Sequence, residues 1–188
     1  MIVSAGVRAE RGADESRRAC RLVRFTKQWA PAIVRWVQSD QELFWLAPAT
    51  APPLTVEKVL AWLREDRHAY LLWLGEADQP IGYAELGLMP GEPSQMWLGH
   101  CLIAPSHRDR GFGRQFVGLL SRAARRRHAA GRLVLVVFPD NTAAIRCYQQ
   151  EGFSMRGYER RYFETTGRRH RLLRMALDLQ ADQAGPDG

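Results

Sequence analysis

Residues 102–120 read LIAPSHRDRGFGRQFVGLL, and the fold is decided by how this stretch is read. An apolar run, Trp97–Ala104, ends at Pro105. The loop Arg108-Asp109-Arg110-Gly111-Phe112-Gly113 follows. Phe116, Val117, Leu120, Ala123 and Ala124 then recur at helical spacing. The order is strand, glycine loop, helix. A helix leaves its first amides unpaired, and its dipole makes that end positive. Glycines let the backbone approach a bulky anion, and phosphate is the natural occupant. The spacing is neither the three-glycine dinucleotide fingerprint nor the Gly-Lys-Ser/Thr of a P-loop. Taken alone, the loop also reads as a tight strand-to-helix turn without a ligand.

A second stretch lies downstream, Asn141-Thr-Ala-Ala-Ile-Arg-Cys-Tyr148, followed by Gly152-Phe153. Arg108-x-x-Gly111-x-Gly113 after an apolar strand resembles the acyl-CoA pyrophosphate loop of the GNAT superfamily of N-acetyltransferases. The downstream stretch is similar to that family's Asn-x-x-Ala-x-x-x-Tyr-x-x-x-Gly-Phe. Two motifs in this order are far more specific than either alone. The resemblance covers about residues 20–178 and is nearest to the branch that includes the ribosomal-protein N-acetyltransferases. It implies an α/β fold with a central mixed sheet of about seven strands flanked by helices. It further implies that two parallel strands splay apart at the cofactor cleft.

Length and composition agree with such a domain. The 188 residues are 46% hydrophobic and 25% charged, ordinary for a globular protein. No apolar run approaches a membrane span, and the start has no secretory pattern, so a cytoplasmic protein is expected. Cys20, Cys101 and Cys147 show no CxxC spacing and read as free thiols; the five histidines show no metal spacing. The net charge of +7 is carried almost entirely by arginine. It suits a polyanionic cofactor, nucleic acid or an acidic partner.

Along the chain, residues 1–19 read as a flexible extension, 20–179 as one domain and 180–188 as a loose tail. A strand begins at Arg21–Phe25. Lys27–Gln38 is an amphipathic helix with Pro31 in its first turn, and Asp40–Trp45 starts another, capped by Ser39 or Asp40. Leu46–Leu54 holds three prolines and is irregular, and Thr55 caps a further helix. His68–Gly75, Ile81–Met89 and Gln95–Ala104 form an antiparallel meander that feeds the glycine loop. The next helix ends near Arg127–Gly131. Leu133–Phe138 is a strand covered on both faces. Asp140 or Asn141 caps helix Thr142–Gln150, and Phe153–Phe163 with Arg168–Leu179 close the sheet as a hairpin.

The resemblance assigns roles residue by residue. The pyrophosphate lies on amides from about Arg110 through Gly111, Phe112 and Gly113 to Arg114, with the Arg108 and Arg114 side chains adding charge-assisted bonds. The pantetheine arm pairs with the main chain at Leu102-Ile103, and Asn141 hydrogen-bonds it; as a plain reading, Asn141 is a helix cap. Tyr148, two helical turns past Asn141, is the general acid; its alternative is a buried aromatic between helix and sheet. Trp45, Leu46 and Pro48 are candidate acceptor-wall residues, with core packing as the alternative. The general base is open. Trp97, Gly99 and Cys101 occupy the expected face of the strand, and none is a good base. His100 lies in the opposite register unless a bulge redirects it, Glu85 on the neighbouring strand is a second candidate that also contacts substrate, and a water chain is a third. Arg122, Arg125, Arg126 and Arg127 crowd one helix, as a solvated face, a contact for the adenosine 3′-phosphate, or a contact for an acidic or RNA-bearing partner.

The expected activity is acetyl transfer from acetyl-CoA to a primary amine by direct attack in a ternary complex, without metal. The acceptor is a small molecule or a protein N-terminus, and a homodimer is possible. The alternatives are a non-catalytic acyl-CoA sensor of the same fold and a basic nucleic-acid-binding module.

Overall fold

A computed structural model describes residues 20–75, 77–89 and 91–179. The expectations for residues 1–19 and 180–188 fall outside these. Seven strands form one sheet: β1 (Cys20–Arg24), β2 (Arg67–Leu74), β3 (Gly82–Met89), β4 (Glu92–Ile103), β5 (Arg132–Val137), β6 (Ser154–Phe163) and β7 (Arg168–Asp178). Their order is β1-β2-β3-β4-β5-β7-β6. All neighbours are antiparallel except β4 and β5. Five α-helices flank the sheet: α1 (Ala30–Trp36), α2 (Asp40–Leu46), α3 (Val56–Ala61), α4 (Phe112–His128) and α5 (Thr142–Gln150).

Local chemistry sets these boundaries. The expected helix from Lys27 is split, because a 3-10 turn over Lys27–Trp29 precedes α1, which carries Pro31 in its first turn. Ser39 caps α2 by accepting from the Glu42 amide, and Thr55 caps α3 through Lys58. Asn141 Oδ1 accepts from the Ala144 amide 3.2 Å away, which makes Asn141 rather than Asp140 the cap of α5. Gly152 then takes φ +87°, where a side chain is strained, and its N–H closes on Gln149.

Alternation along the strands splits the core between the two faces of the sheet. Tyr70, Leu72, Ala84, Leu86, Met96 and Leu98 pack with Phe112, Phe116, Val117 and Leu120 of α4. Leu71 and Tyr83 point the other way and pack with Ile33, Leu43, Val59 and Trp62 on the α1–α3 side. The arginine-rich face of α4 is solvated at Arg122, Arg126 and Arg127.

One break in the sheet positions the site. β4 and β5 are paired only at Gln95–Arg132, Met96–Leu133 and Trp97–Val134. Beyond Val134 no register joins them, so the remainder of β4 faces a gap. A second irregularity lies on the opposite edge of β4. Tyr83 pairs with Leu102 and Glu85 with Gly99, so Ala84 opposes both His100 and Cys101. This is a β-bulge, and His100 takes φ +46° within it. Among the described residues no helix is long and apolar enough to cross a membrane.

Phe116 is fully buried between α4 and the sheet. Phe116→Ala removes that contact and is expected to cost about 3–5 kcal/mol. Thermal unfolding should fall by about 10 °C, since ~1 kcal/mol corresponds to ~2–4 °C at this size.

Candidate active site

The gap between β4 and β5 opens into a cavity of about 400 Å³. Its walls are the splayed strand ends, the first turns of α4, the inner face of α5 and the end of α2.

On the α4 side, Gly111 takes φ +79° and Gln115 donates the first intrahelical bond, to the Gly111 carbonyl. The amides of Phe112, Gly113 and Arg114 precede that bond and are the open donors of the helix start. No acidic residue lies in this first turn. Gly113 sits where a Cβ would come within 3.3 Å of Cys147 Sγ, so the helix start lies close against α5. The Phe112 ring is core, which leaves only its main chain to meet a ligand. The Arg114 Nε is paired with Glu151 at 2.8 Å. Arg110 donates to the Ser106 carbonyl and lies over the Phe112 ring.

Arg108 departs from its expected role. Its Nη1 and Nη2 grip both oxygens of Glu42, at 2.6 and 3.2 Å. Its remaining contacts go to the carbonyls of Ile103 and Trp36. The guanidinium therefore ties the end of β4 to α1 and α2 and is not a spare cation for a pyrophosphate. No local pattern marks Glu42 as its partner, because the two lie 66 residues apart. Both side chains are mostly buried, 29% and 26% exposed. Burial alone would raise the Glu42 carboxyl, but the Arg108 bonds and the Gln38 amide hold it below the ordinary carboxylate range.

On the α5 side, Asn141, Ala144, Cys147 and Tyr148 line the cavity. The bulge reverses the parity of β4, so Met96 and Leu98 before it, and Cys101 and Ile103 after it, all belong to the α4 face. The Tyr148 phenol lies beside the thiols of Cys101 and Cys147, packed against the same core. Burial pushes the Tyr148 phenol well above its usual value, with the two nearby thiols adding to the effect. The group stays protonated throughout the neutral range. Burial likewise raises Cys101 and carries Cys147 up to about 11, so neither is a ready thiolate.

On the opposite face the bulge turns His100 toward α3, where its ring packs 4.5 Å from Trp62 and 5.8 Å from Trp97. The redirected His100 lines the cavity; Glu85 does not. Glu85 is fully buried behind it and receives three donors: Tyr83 Oη at 2.6 Å, His100 Nδ1 at 2.8 Å and Arg67 Nη1 at 3.1 Å. The expectation that Glu85 touches substrate is therefore corrected, because other side chains cover it. Burial opposes its ionisation. The bonds and charge of His100, then Tyr83 and Arg67, outweigh that and hold Glu85 below the ordinary range. An ionised carboxylate only accepts, so His100 presents Nδ1–H to it and keeps the Nε2 lone pair when neutral.

The acceptor-side wall is pinned at both ends. Trp45 Nε1 donates to Asp140 at 3.2 Å, and Thr165 Oγ1 donates to the Pro48 carbonyl at 2.6 Å. Phe44 packs against Phe138 and Phe163. Trp45, Leu46 and Pro48 thus line the cavity while also serving as packing. Arg161 of β6 lines it too. Sequence reading missed Arg161; the only signal was its two-residue spacing from Phe163.

A mixed sheet parted at one parallel pair, with a helix start on one side of the gap and a capped Asn–Tyr helix beside it, defines the acyltransferase class with a split sheet. The chain belongs to the acetyltransferase (GNAT) family, which it matches over residues 30–153, and is an N-acetyltransferase. It is 28% identical over 117 residues to the N-alpha-acetyltransferase RimI of Mycobacterium tuberculosis, covering 62% of this chain and 69% of that one. Two solved structures share the fold. Spermidine N-acetyltransferase from Vibrio cholerae, in complex with CoA and spermine, superposes with a TM-score of 0.70 at 16% identity, over 85% of this chain and 95% of that one. AAC(6')-Ib with ribostamycin and coenzyme A gives 0.73 at 21%, over 90% and 99%. Among the described residues no group of three or more His, Cys, Asp or Glu side chains is placed to hold a metal ion.

Arg108→Ala should destabilise the fold by about 2 kcal/mol, the scale of a charged hydrogen-bond pair. Because the Glu42 pKa is lowered on folding, its contribution is complete above the unfolded carboxyl value of about 4.3 and fades as pH falls through the lower folded value. Urea midpoints measured from pH 7 to pH 3 should therefore converge for wild type and Arg108→Ala at the acid end.

Proposed function

We propose that this chain moves an acetyl group from acetyl-CoA to a primary amine by direct attack in a ternary complex. The observation that carries the reading is the placement of two different proton-handling groups on opposite faces of β4 at the parted strands. His100 belongs to the α3 face and Tyr148 contacts the α4 face through Cys101.

The residues present fit the carrier. The open amides of Phe112–Arg114 suit a diphosphate at a helix start. Leu102 and Ile103 lie where β4 has lost its parallel neighbour, so their main chain suits the amides of a pantetheine arm added as a strand would be. Asn141 keeps its N–H donors while its Oδ1 caps α5. When bound, acetyl-CoA supplies an activated carbonyl and a thiol leaving group.

His100 takes the proton of the incoming ammonium on Nε2, with buried Glu85 orienting the ring and stabilising the charge it gains. This reading selects His100 as base and makes Glu85 its positioning residue. Tyr148 keeps its proton and lies beside the Cys101 thiol at the cavity wall. With its phenol raised by burial, it stabilises a departing thiolate chiefly as a hydrogen-bond donor, since full transfer is uphill against a thiol near 8.5. No acyl-enzyme is needed, and the raised Cys101 and Cys147 thiols favour none.

Tyr148→Phe should lower kcat about 10²-fold in an acetyl-CoA assay while CoA binding by calorimetry stays within about threefold. His100→Gln should lower kcat similarly. Full turnover in both variants, or CoA bound with no amine acetylated by wild type, would contradict the assignment; the latter outcome is that of a sensor.

A further inference from the structure

The walls of the acceptor side carry an imbalance of charge. We infer that the acceptor is a primary amine that also bears an anionic group on a small apolar body, and that Arg161 selects it. This rests on the acetyl-transfer reading above and names its second substrate class.

Arg161 and Phe163 are two apart on β6 and so share a face. Phe163 meets Phe44 of α2 edge-on at 5.8 Å, and the turn after it is tied to Pro48 through Thr165. Arg161 therefore belongs to the wall that holds α2, and it lines the cavity. Its partner, Glu159, makes an ion pair with Arg161 Nε. The Glu159 Oε1 in that contact has no hydrogen bond, and Glu159 Oε2 also lies 4.0 Å from Arg174. One carboxylate between two guanidiniums leaves a net positive charge, and Arg161 remains half exposed at 52%.

The remaining charges on this wall cancel or are covered. Glu42 lines the cavity but is gripped by Arg108, which lines it too. Glu85 is sealed behind His100 and paired with Arg67. Among the described residues, the carboxylate that lines the cavity, Glu42, has its cation, and Asp140, at the edge of the wall, accepts from Trp45 Nε1. The body of the wall is apolar: Trp45, Leu46, Pro48 and Trp97, whose ring lies across Gly99 so closely that a Cβ there would overlap it. The surrounding hairpin adds to the same field, with seven arginines against three carboxylates between residues 154 and 179.

A polycation would bring surplus positive charge to a cavity whose lining carboxylate, Glu42, is already paired with Arg108. An amine bearing one anion offers a partner to Arg161, whose planar fork suits a carboxylate, and lays its apolar part against Trp45, Leu46 and Trp97. The partly exposed guanidinium is screened by salt, so the preference should be about tenfold and should shrink with added KCl.

The test uses matched pairs that differ only in the acid: phenylalanine with phenethylamine, and leucine with isoamylamine, alongside spermidine and kanamycin. With saturating acetyl-CoA and the full chain, kcat/KM for each acid should exceed that of its decarboxylated partner, and of both polycations, about tenfold. Arg161→Gln should bring the pair ratio to within about threefold, and Arg161→Lys should keep most of it. A preference for the decarboxylated amines or the polycations, or a ratio unchanged in Arg161→Gln, would overturn the inference. Calorimetry of the same pairs on the CoA-loaded protein decides it even if no amine is acetylated. Tighter binding of the acids would support the acceptor class while the transfer reading fails, and equal binding would overturn it.

Discussion

β4 and β5 share three residue pairs and then separate. Everything at the site depends on that parting. A parallel pair that continued to Ile103 and Val137 would satisfy its own amides and close the space between α4 and α5. Instead, strand edge, helix start and phenol all meet one gap. Such an opening is costly inside a sheet, because backbone donors lose partners. It persists because both sides are held from outside: β4 by its long pairing with β3, β5 by β7, and the two helices by the shared core beneath them.

The bulge at His100 works with the parting. It reverses which side chains of β4 face which layer, and so delivers Cys101 and Ile103 to the face of α4 and α5 and His100 to that of α3. A histidine at φ +46° is held in a sparsely used conformation that costs on the order of 1 kcal/mol or more. The buried Glu85, with its three donors, offsets that cost and fixes the ring. Arg108 has a comparable duty one turn further on. By gripping Glu42 and two carbonyls it locks the acceptor-side helices to the end of β4, and so couples the two halves of the cleft.

Much of this was legible in the sequence. The glycine loop and the Asn141–Tyr148 stretch are local patterns, and α4, α5, β5 and the closing hairpin stand where spacing and capping placed them. The split of the first helix was not legible, since the periodicity of Trp29, Ile33 and Trp36 runs through the 3-10 turn. Strand ends shifted by one to three residues, as at β4, which begins at Glu92 rather than Gln95. The roles that changed are those set by distant partners. Arg108 looks like a phosphate ligand until Glu42 is beside it. Glu85 looks like a wall residue until His100, Tyr83 and Arg67 cover it. Arg161 carries no motif and becomes visible only when the hairpin packs on α2. The His100 bulge was readable as a possibility, but its place is fixed by the Tyr83–Leu102 and Glu85–Gly99 registers, which depend on two strands together.

We propose that the exposed edge of β4 and the start of α4 together hold the thioester carrier. Amide hydrogen exchange of the full chain, with and without saturating CoA, reads this directly. Protection should rise at Leu102–Ile103 and at Gly111–Arg114, with little change along β1 and β2. Binding of CoA that leaves those amides exchanging as before, or that protects a different surface, would contradict the account.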